Sequence, residues 1–193
     1  MRDIYFGDRR DRVKWGVLVH IAQSHGLHSI LQVAYSRNLG SRTLQTPDGP
    51  VELDGEVWRF FSSLDRVVDL GARLGLAIRV VDAPFANASR SRYVDLVLDE
   101  LVHVARPALV FLDPDTGLSD RPAAEHTARG DVECVWAAMQ RGEWLVVYQH
   151  ADHTGTWLER RKALLTQWCG GVEVQVFTGH SMARDVAFLA VER

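Results

Sequence analysis

Cysteine is scarce in this chain: only Cys134 and Cys169 occur, with no CxxC spacing, which excludes a disulfide framework and a zinc ribbon. Both lie in helical patterns and read as core thiols. Long apolar runs are missing too, so no membrane span is expected. The opening MRDIYFGDRRDRVKW is charged and has no apolar signal-peptide core, which points to the cytoplasm. Positive charge is not in excess. With 22 Lys and Arg against 25 Asp and Glu, a formal net charge of −3 argues against a generic electrostatic binder of nucleic acid. Internal repeats and low-complexity linkers are absent as well, so residues 1–193 read as a single α/β domain.

What is present is the composition of an ordinary globular protein, 47% hydrophobic and 24% charged, on a chain long enough for one substantial core. Val13, Val17 and Ile21 recur at helical spacing up to Gly26. A strand, SILQVA, covers Ser29 to Ala34, and a Gly-, Pro- and Asp-rich loop continues to Gly55. Val57, Phe60, Phe61, Leu64 and Val68 form a helical stripe with Asp54 as N-cap, followed by a strand from Ala77 to Val81. Val94, Val97, Leu98, Leu101, Val102 and Ala105 mark the next helix, and Val132, Val135, Trp136 and Met139 another. Trp144 to Tyr148 is a strand, and Thr156-x-x-Glu159 matches a capping box opening a helix through Leu164, Leu165 and Trp168. Two final strands, Val172 to Phe177 and Val186 to Val191, are close enough for an antiparallel pair. Strict alternation of strand and helix predicts a Rossmann-like, mostly parallel sheet with helices on both faces and a C-terminal antiparallel strand pair.

The most informative segment is Ala108 to Leu118, ALVFLDPDTGL. An apolar run that reads as a strand buried on both faces ends abruptly in Asp113-Pro114-Asp115-Thr116-Gly117. The C-terminal edge of an open α/β sheet is where ligands bind. The other strand ends are polar as well: Tyr35-Ser36-Arg37-Asn38, Asp82, Gln149-His150 and Thr178-Gly179-His180. Together they place carboxylates, amides and two imidazoles on one rim. The bland alternative for DPDTG is a turn whose carboxylates bond nearby amides.

Alternating strands, a closing antiparallel pair and a DP turn after an internal strand resemble the Rossmann-type methyltransferases that act on nucleic-acid bases. In that family a D/N-P-P-Y/F turn holds the target amine; here Asp113-Pro114 match, and Asp115 and Thr116 replace the second proline and the aromatic residue. AYSRNLG stands where that family needs a glycine-rich loop for its cofactor, S-adenosylmethionine. A second resemblance covers most of the chain. Tyr5-Phe6-Gly7-Asp8, Asp11, Lys14-Trp15-Gly16, then Asp113 to Leu118, then Tyr148-Gln149-His150, are similar to blocks of a bacterial family found beside defence genes. That resemblance implies a phage-defence DNA glycosylase removing glucosylated cytosine.

Base excision requires a flipped nucleotide and stabilisation of an oxocarbenium-like sugar. Asp8, Asp113 or Asp115 would orient water and bear that charge, while Asn38, Gln149 or His150 reads or protonates the departing base. Asp8, Asn38, Asp113 and Asp115 are thus the candidate catalytic residues. Tyr5, Lys14, Tyr35, Arg37, Thr116, Gln149, His150, Arg160, Arg161 and His180 are the candidate substrate contacts, with Phe6 and Trp15 as further stacking surfaces. Arg9-Arg10, Arg12, Arg90, Arg92 and Arg160-Arg161-Lys162 are basic clusters able to face phosphates. The expectation is modified phage DNA as partner, with no metal and no organic cofactor. Two alternatives stand beside it: a nuclease holding Mg²⁺ through Asp8, Asp113 and Asp115, and a methyltransferase-like binding module without catalysis.

Overall fold

The computed structural model describes residues 9–37, 43–47, 49–52, 65–121, 123–152, 154–179 and 181–193. In chain order these form α1 (Arg9–Ser24), β1 (Ser29–Val33), β2 (Thr43–Thr46), β3 (Gly49–Glu52), α2 (Asp65–Leu74), β4 (Ala77–Val81) and α3 (Arg90–Val102). There follow β5 (Ala108–Leu112), β6 (Gly117–Leu118), β7 (His126–Thr127), α4 (Arg129–Ala138), β8 (Trp144–His150), α5 (Trp157–Trp168), β9 (Gln175–Thr178) and β10 (Val186–Glu192). Six strands make the main sheet in the order β4-β1-β5-β8-β10-β9. The first four run parallel. Strand β10 is antiparallel to both of its neighbours, β8 and β9. The expected Rossmann-like sheet with a C-terminal antiparallel pair is therefore present.

Its central strands are buried along their whole length because both faces are covered, and their sequences are accordingly near-continuous apolar runs. Side chains alternate between the faces. Leu31, Val33, Val110, Leu112, Leu145 and Val147 pack with Val97 and Leu101 of α3, Val132 and Val135 of α4 and Leu165 of α5. Ile30, Leu109, Phe111 and Val146 pack with Leu18 and Ile21 of α1 and Val67 of α2. Each fully buried Leu, Ile, Val or Phe contributes about 1.5–3 kcal/mol relative to exposure, so these two layers dominate stability.

Several local expectations change. The span read as a loop up to Gly55 contains an antiparallel hairpin, β2 with β3, paired from Thr43↔Glu52 to Thr46↔Gly49. Val57, Phe60, Phe61 and Leu64, with Asp54, lie outside the described residues. In α2 it is Val67 that is buried, whereas Val68 is 47% exposed. The reason is Gly71, where a Cβ would meet the Leu76 carbonyl oxygen at 2.6 Å; this close approach turns the Val67–Gly71 face onto β4. Val102, the last residue of α3, is 73% exposed, since Leu101 takes the core position. Thr156 occupies the N-cap of α5 but makes no side-chain capping bond. Cys169 is buried as expected, whereas Cys134 is exposed. Among the described residues no helix is long and apolar enough to cross a membrane.

Candidate site at the strand ends

From β1 the chain passes to β4 on one side, while β5 lies on the other, so the C-terminal ends of β1 and β5 form the topological switch point of the sheet. Two loops meet there, Tyr35–Arg37 after β1 and Asp113–Thr116 after β5. Asp113 is 2% exposed and its Oδ2 accepts from Lys14 Nζ at 2.9 Å and from Gln32 Nε2 at 2.8 Å. Lys14 also lies 2.8 Å from Asp11 Oδ1. Burial alone would pull the Lys14 ammonium down; Asp113 and Asp11 outweigh it and hold the group above its ordinary value. Lys14 further sits 6.0 Å from the Phe111 ring and 5.9 Å from the Tyr148 ring. Residues from three separated sequence blocks, Asp11 and Lys14, Asp113, and Tyr148, thus converge on the α1 face.

Asp115 turns the other way and pairs with Arg37, which also lies 3.6 Å from Glu125. This ion pair spans the switch point. Gln149 neither points at a ligand nor holds a carboxylate: its Oε1 accepts from Leu118 N at 3.0 Å and its Nε2 donates to the Thr116 carbonyl at 2.8 Å. Gly117 allows this, since its φ is +112° and a Cβ would lie 2.2 Å from Gln149 Oε1. Thr116 Oγ1 donates to the Glu125 carbonyl at 2.9 Å, closing the loop on itself. Arg90 pins the same segment from α3, donating to the Ala123 carbonyl at 2.7 Å and pairing with Asp131. Burial holds His126 below its ordinary value; Glu125 opposes this, and Arg161, Arg90 and Arg37 add to it.

Tyr35 has a φ of +46°, a conformation that a bulky side chain adopts only under strain. It is also 2% exposed. Its ring packs against Phe85 and Tyr93 with centroids 4.9 and 5.5 Å away, and its Oη donates to Asp131 Oδ2 at 3.2 Å. Burial, with Asp131 beside it, pushes the Tyr35 phenol well above its ordinary value. Trp15 is likewise buried in the core. Beyond Tyr35, the Ser36 hydroxyl donates to the exposed Asp82 carboxylate at the end of β4.

Of the remaining sequence-derived candidates, His150 lies at the end of β8 with Nε2 3.4 Å from Asp185 Oδ2, a carboxylate that Arg10 Nε also reaches at 3.1 Å. Arg160 and Arg161 both face Asp152, at 3.0 and 3.6 Å. Tyr5, Phe6, Asp8, Asn38 and His180 lie outside the described residues. Gln32, Asp11, Ser36, Glu125 and Asp185 were not among the candidates. A signal existed for Gln32, a polar residue inside an otherwise apolar strand; Ser36 and Asp11 stood in the strand-end and family blocks without an assigned role, and nothing local marked Glu125 and Asp185. Among the described residues, no three His, Cys, Asp or Glu side chains are grouped to hold a metal ion.

S-adenosylmethionine, the cofactor of Rossmann methyltransferases, is not fitted by these residues in the way that family holds it. Tyr35 and Arg37 stand in the turn that would need bare glycine backbone, and the Arg37–Asp115 pair bridges the crevice. Asp113, at the position that would hold a target amine, is already bonded to Lys14 and Gln32.

No protein-family model matches the sequence, and no curated protein matches it. Similar solved structures include a DUF574 family protein from Streptomyces avermitilis, at 12% identity and TM-score 0.48, covering 96% of this chain and 82% of that one. A proposed methyltransferase from Thermobifida fusca shows 13% identity and TM-score 0.43 over 96% of this chain and 80% of that one. A release factor-specific protein-(glutamine-N5) methyltransferase from Alicyclobacillus acidocaldarius shows 14% identity and TM-score 0.39 over 94% and 93%. A likeness at this level concerns the fold. The expectation of a DNA glycosylase, a hydrolase with base flipping, is corrected here on the chain's own geometry: Asp113, which was to bear the developing charge, is buried and already bonded to Lys14 and Gln32. Within the chain the two described aspartates of DPDTG are also held in ion pairs. What this leaves is a Rossmann-like, mostly parallel sheet with a polar, cross-linked switch point.

Proposed function

We propose that this chain is a methyltransferase-like protein of the cytoplasm that binds a nucleoside-bearing ligand at the C-terminal ends of β1, β4 and β5. The observation that carries the reading is the Ser36–Asp82 contact: an exposed carboxylate at the end of the strand beside β1, oriented by a hydroxyl from the turn after β1. In Rossmann-type sites an acidic residue beyond the second strand takes the ribose hydroxyls, and β4 is the second strand of this sheet in chain order if the β2–β3 hairpin is set aside. Asp82 in that role accepts from a vicinal diol, and Ser36 keeps the carboxylate turned toward the crevice.

The test is calorimetric titration of the full chain with adenosine, its 2′,3′-dideoxy analogue and S-adenosylmethionine, repeated on Asp82→Ala. The expected result is binding of the riboside, at least tenfold weaker binding of the dideoxy compound, and loss of that difference in Asp82→Ala. Equal affinity for riboside and dideoxy analogue, or no binding of either, sinks the reading. Methyl transfer from labelled S-adenosylmethionine to DNA or protein would restore the full methyltransferase activity that the glycine-poor turn argues against.

A further inference from the structure

Gln32 is the fourth residue of β1 and is 1% exposed. Its Nε2 is committed to Asp113 Oδ2, and its Oε1 is buried with no hydrogen-bond partner among the described residues. Rotating the amide by half a turn would set an oxygen against a carboxylate, so the orientation is fixed by Asp113, and the vacant group is necessarily an acceptor. A buried amide oxygen without a donor forfeits its hydration and receives nothing in return. Among the described residues the group beside it is the Asp113 carboxylate, which Lys14 and Gln32 Nε2 share. That favours an incoming N–H donor over an acceptor.

We propose that Gln32 Oε1 is a specificity subsite for an exocyclic amino group, so that the nucleoside taken at the switch point is of the amino-bearing class, adenine or cytosine, rather than the keto class. This inference rests on the nucleoside reading above and adds the identity of the base edge to it. The spacing supports it. Val33 pairs with Val81, which sets Asp82 opposite Ala34 and Gln32 two residues back along the neighbouring strand. With strands about 4.8 Å apart and a rise of about 3.3 Å per residue, the two Cα positions are roughly 8 Å apart, within the span of one nucleoside. Ribose at Asp82 and an amino group at Gln32 are the two ends of that span. An amino N–H donated to Oε1 fills the vacancy, while Gln32 Nε2 keeps its bond to Asp113.

Paired ligands that differ only in the amino group provide the test: adenosine against purine riboside, and cytidine against the 4-deamino pyrimidine riboside, titrated into the full chain. The expected result is a preference of at least tenfold for the amino member of each pair, with the ratio falling toward one in Gln32→Met. Binding of both members with equal affinity and intact ribose dependence overturns the subsite and leaves the nucleoside reading standing; a water on Oε1 gives this outcome. Failure of all four ribosides to bind overturns both. Because the ratio is measured first on the unaltered protein, the proposal stays falsifiable if Gln32→Met does not fold.

Discussion

Lys14 Nζ and Asp113 Oδ2 lie 2.9 Å apart although 99 positions separate them in sequence, and both side chains are almost wholly buried. The contact fastens α1 to the end of β5. It also converts the aspartate that opens DPDTG from a prospective reacting group into the anchor of a charged cluster.

Removal of one partner of such a cluster leaves the other charge buried and uncompensated. Lys14→Met is expected to lower the unfolding free energy by about 3–5 kcal/mol, measured by urea denaturation at neutral pH. A loss under about 1 kcal/mol would mean that water reaches the carboxylates of Asp11 and Asp113.

Alkaline pH should destabilise the fold in a defined window. The Lys14 ammonium is held above its ordinary 10.5, and burial holds the Tyr35, Tyr93 and Tyr148 phenols above 10.0. A folded-state pKa above the unfolded one gives stability that is fully present below the unfolded value and is lost as pH rises through the folded value. Urea midpoints are thus expected to be flat from neutral pH to about pH 8.5, to begin falling near pH 9 because burial also raises the Cys169 thiol, and to fall further above pH 10, with a shallower fall there in Lys14→Met. A fall of equal slope in Lys14→Met would assign the whole effect to the tyrosines and Cys169.

Gly117→Ala is expected to cost at least about 2 kcal/mol, since the new Cβ would both strain the backbone at φ +112° and displace the Gln149 amide. Gln149→Ala removes that amide and its bonds to Leu118 and Thr116. The double variant should therefore be markedly less destabilised than the sum of the two. Simple additivity in thermal melts would show that the two residues do not share one contact.

The two cysteines should differ in reactivity. Cys134 is exposed, whereas burial pushes the Cys169 thiol up to about 12. Titration with a thiol-specific disulfide reagent at pH 8 is expected to count one thiol per native chain and two in denaturant. Two rapid thiols in the native protein would show that the core around Trp168 and Cys169 opens readily.

Much of the sheet was readable from short-range pattern. The run Ala108–Leu112 and the strand Ala77–Val81 occur at the positions that their sequences indicate: β5, buried on both faces, is apolar at every position, whereas β4 at the sheet edge buries Ile78 and Val81 and leaves Arg79 exposed. Helix phase was less secure. Val68 and Val102 fit the periodicity and yet face solvent, since one residue of rotation in α2 is decided by the close approach at Gly71 and the end of α3 by the packing of Leu101. The rim was legible as a set of strand ends, but the roles along it were not: Gln149 reads as a candidate base contact and turns out to brace the loop after β5.

By itself the sequence determined the alternation of strands and helices and the polar character of the strand ends, because hydrophobic period and turn chemistry are local properties of a few neighbouring residues. Only the tertiary structure decided that β10 inserts between β8 and β9, that Arg37 meets Asp115 across the switch point, and that Lys14 and Gln32 close on Asp113. The physical reason is distance in the chain. Whether a carboxylate is free to act or spent in an ion pair depends on charges brought within a few ångströms by packing, and no local pattern records which remote residue that will be.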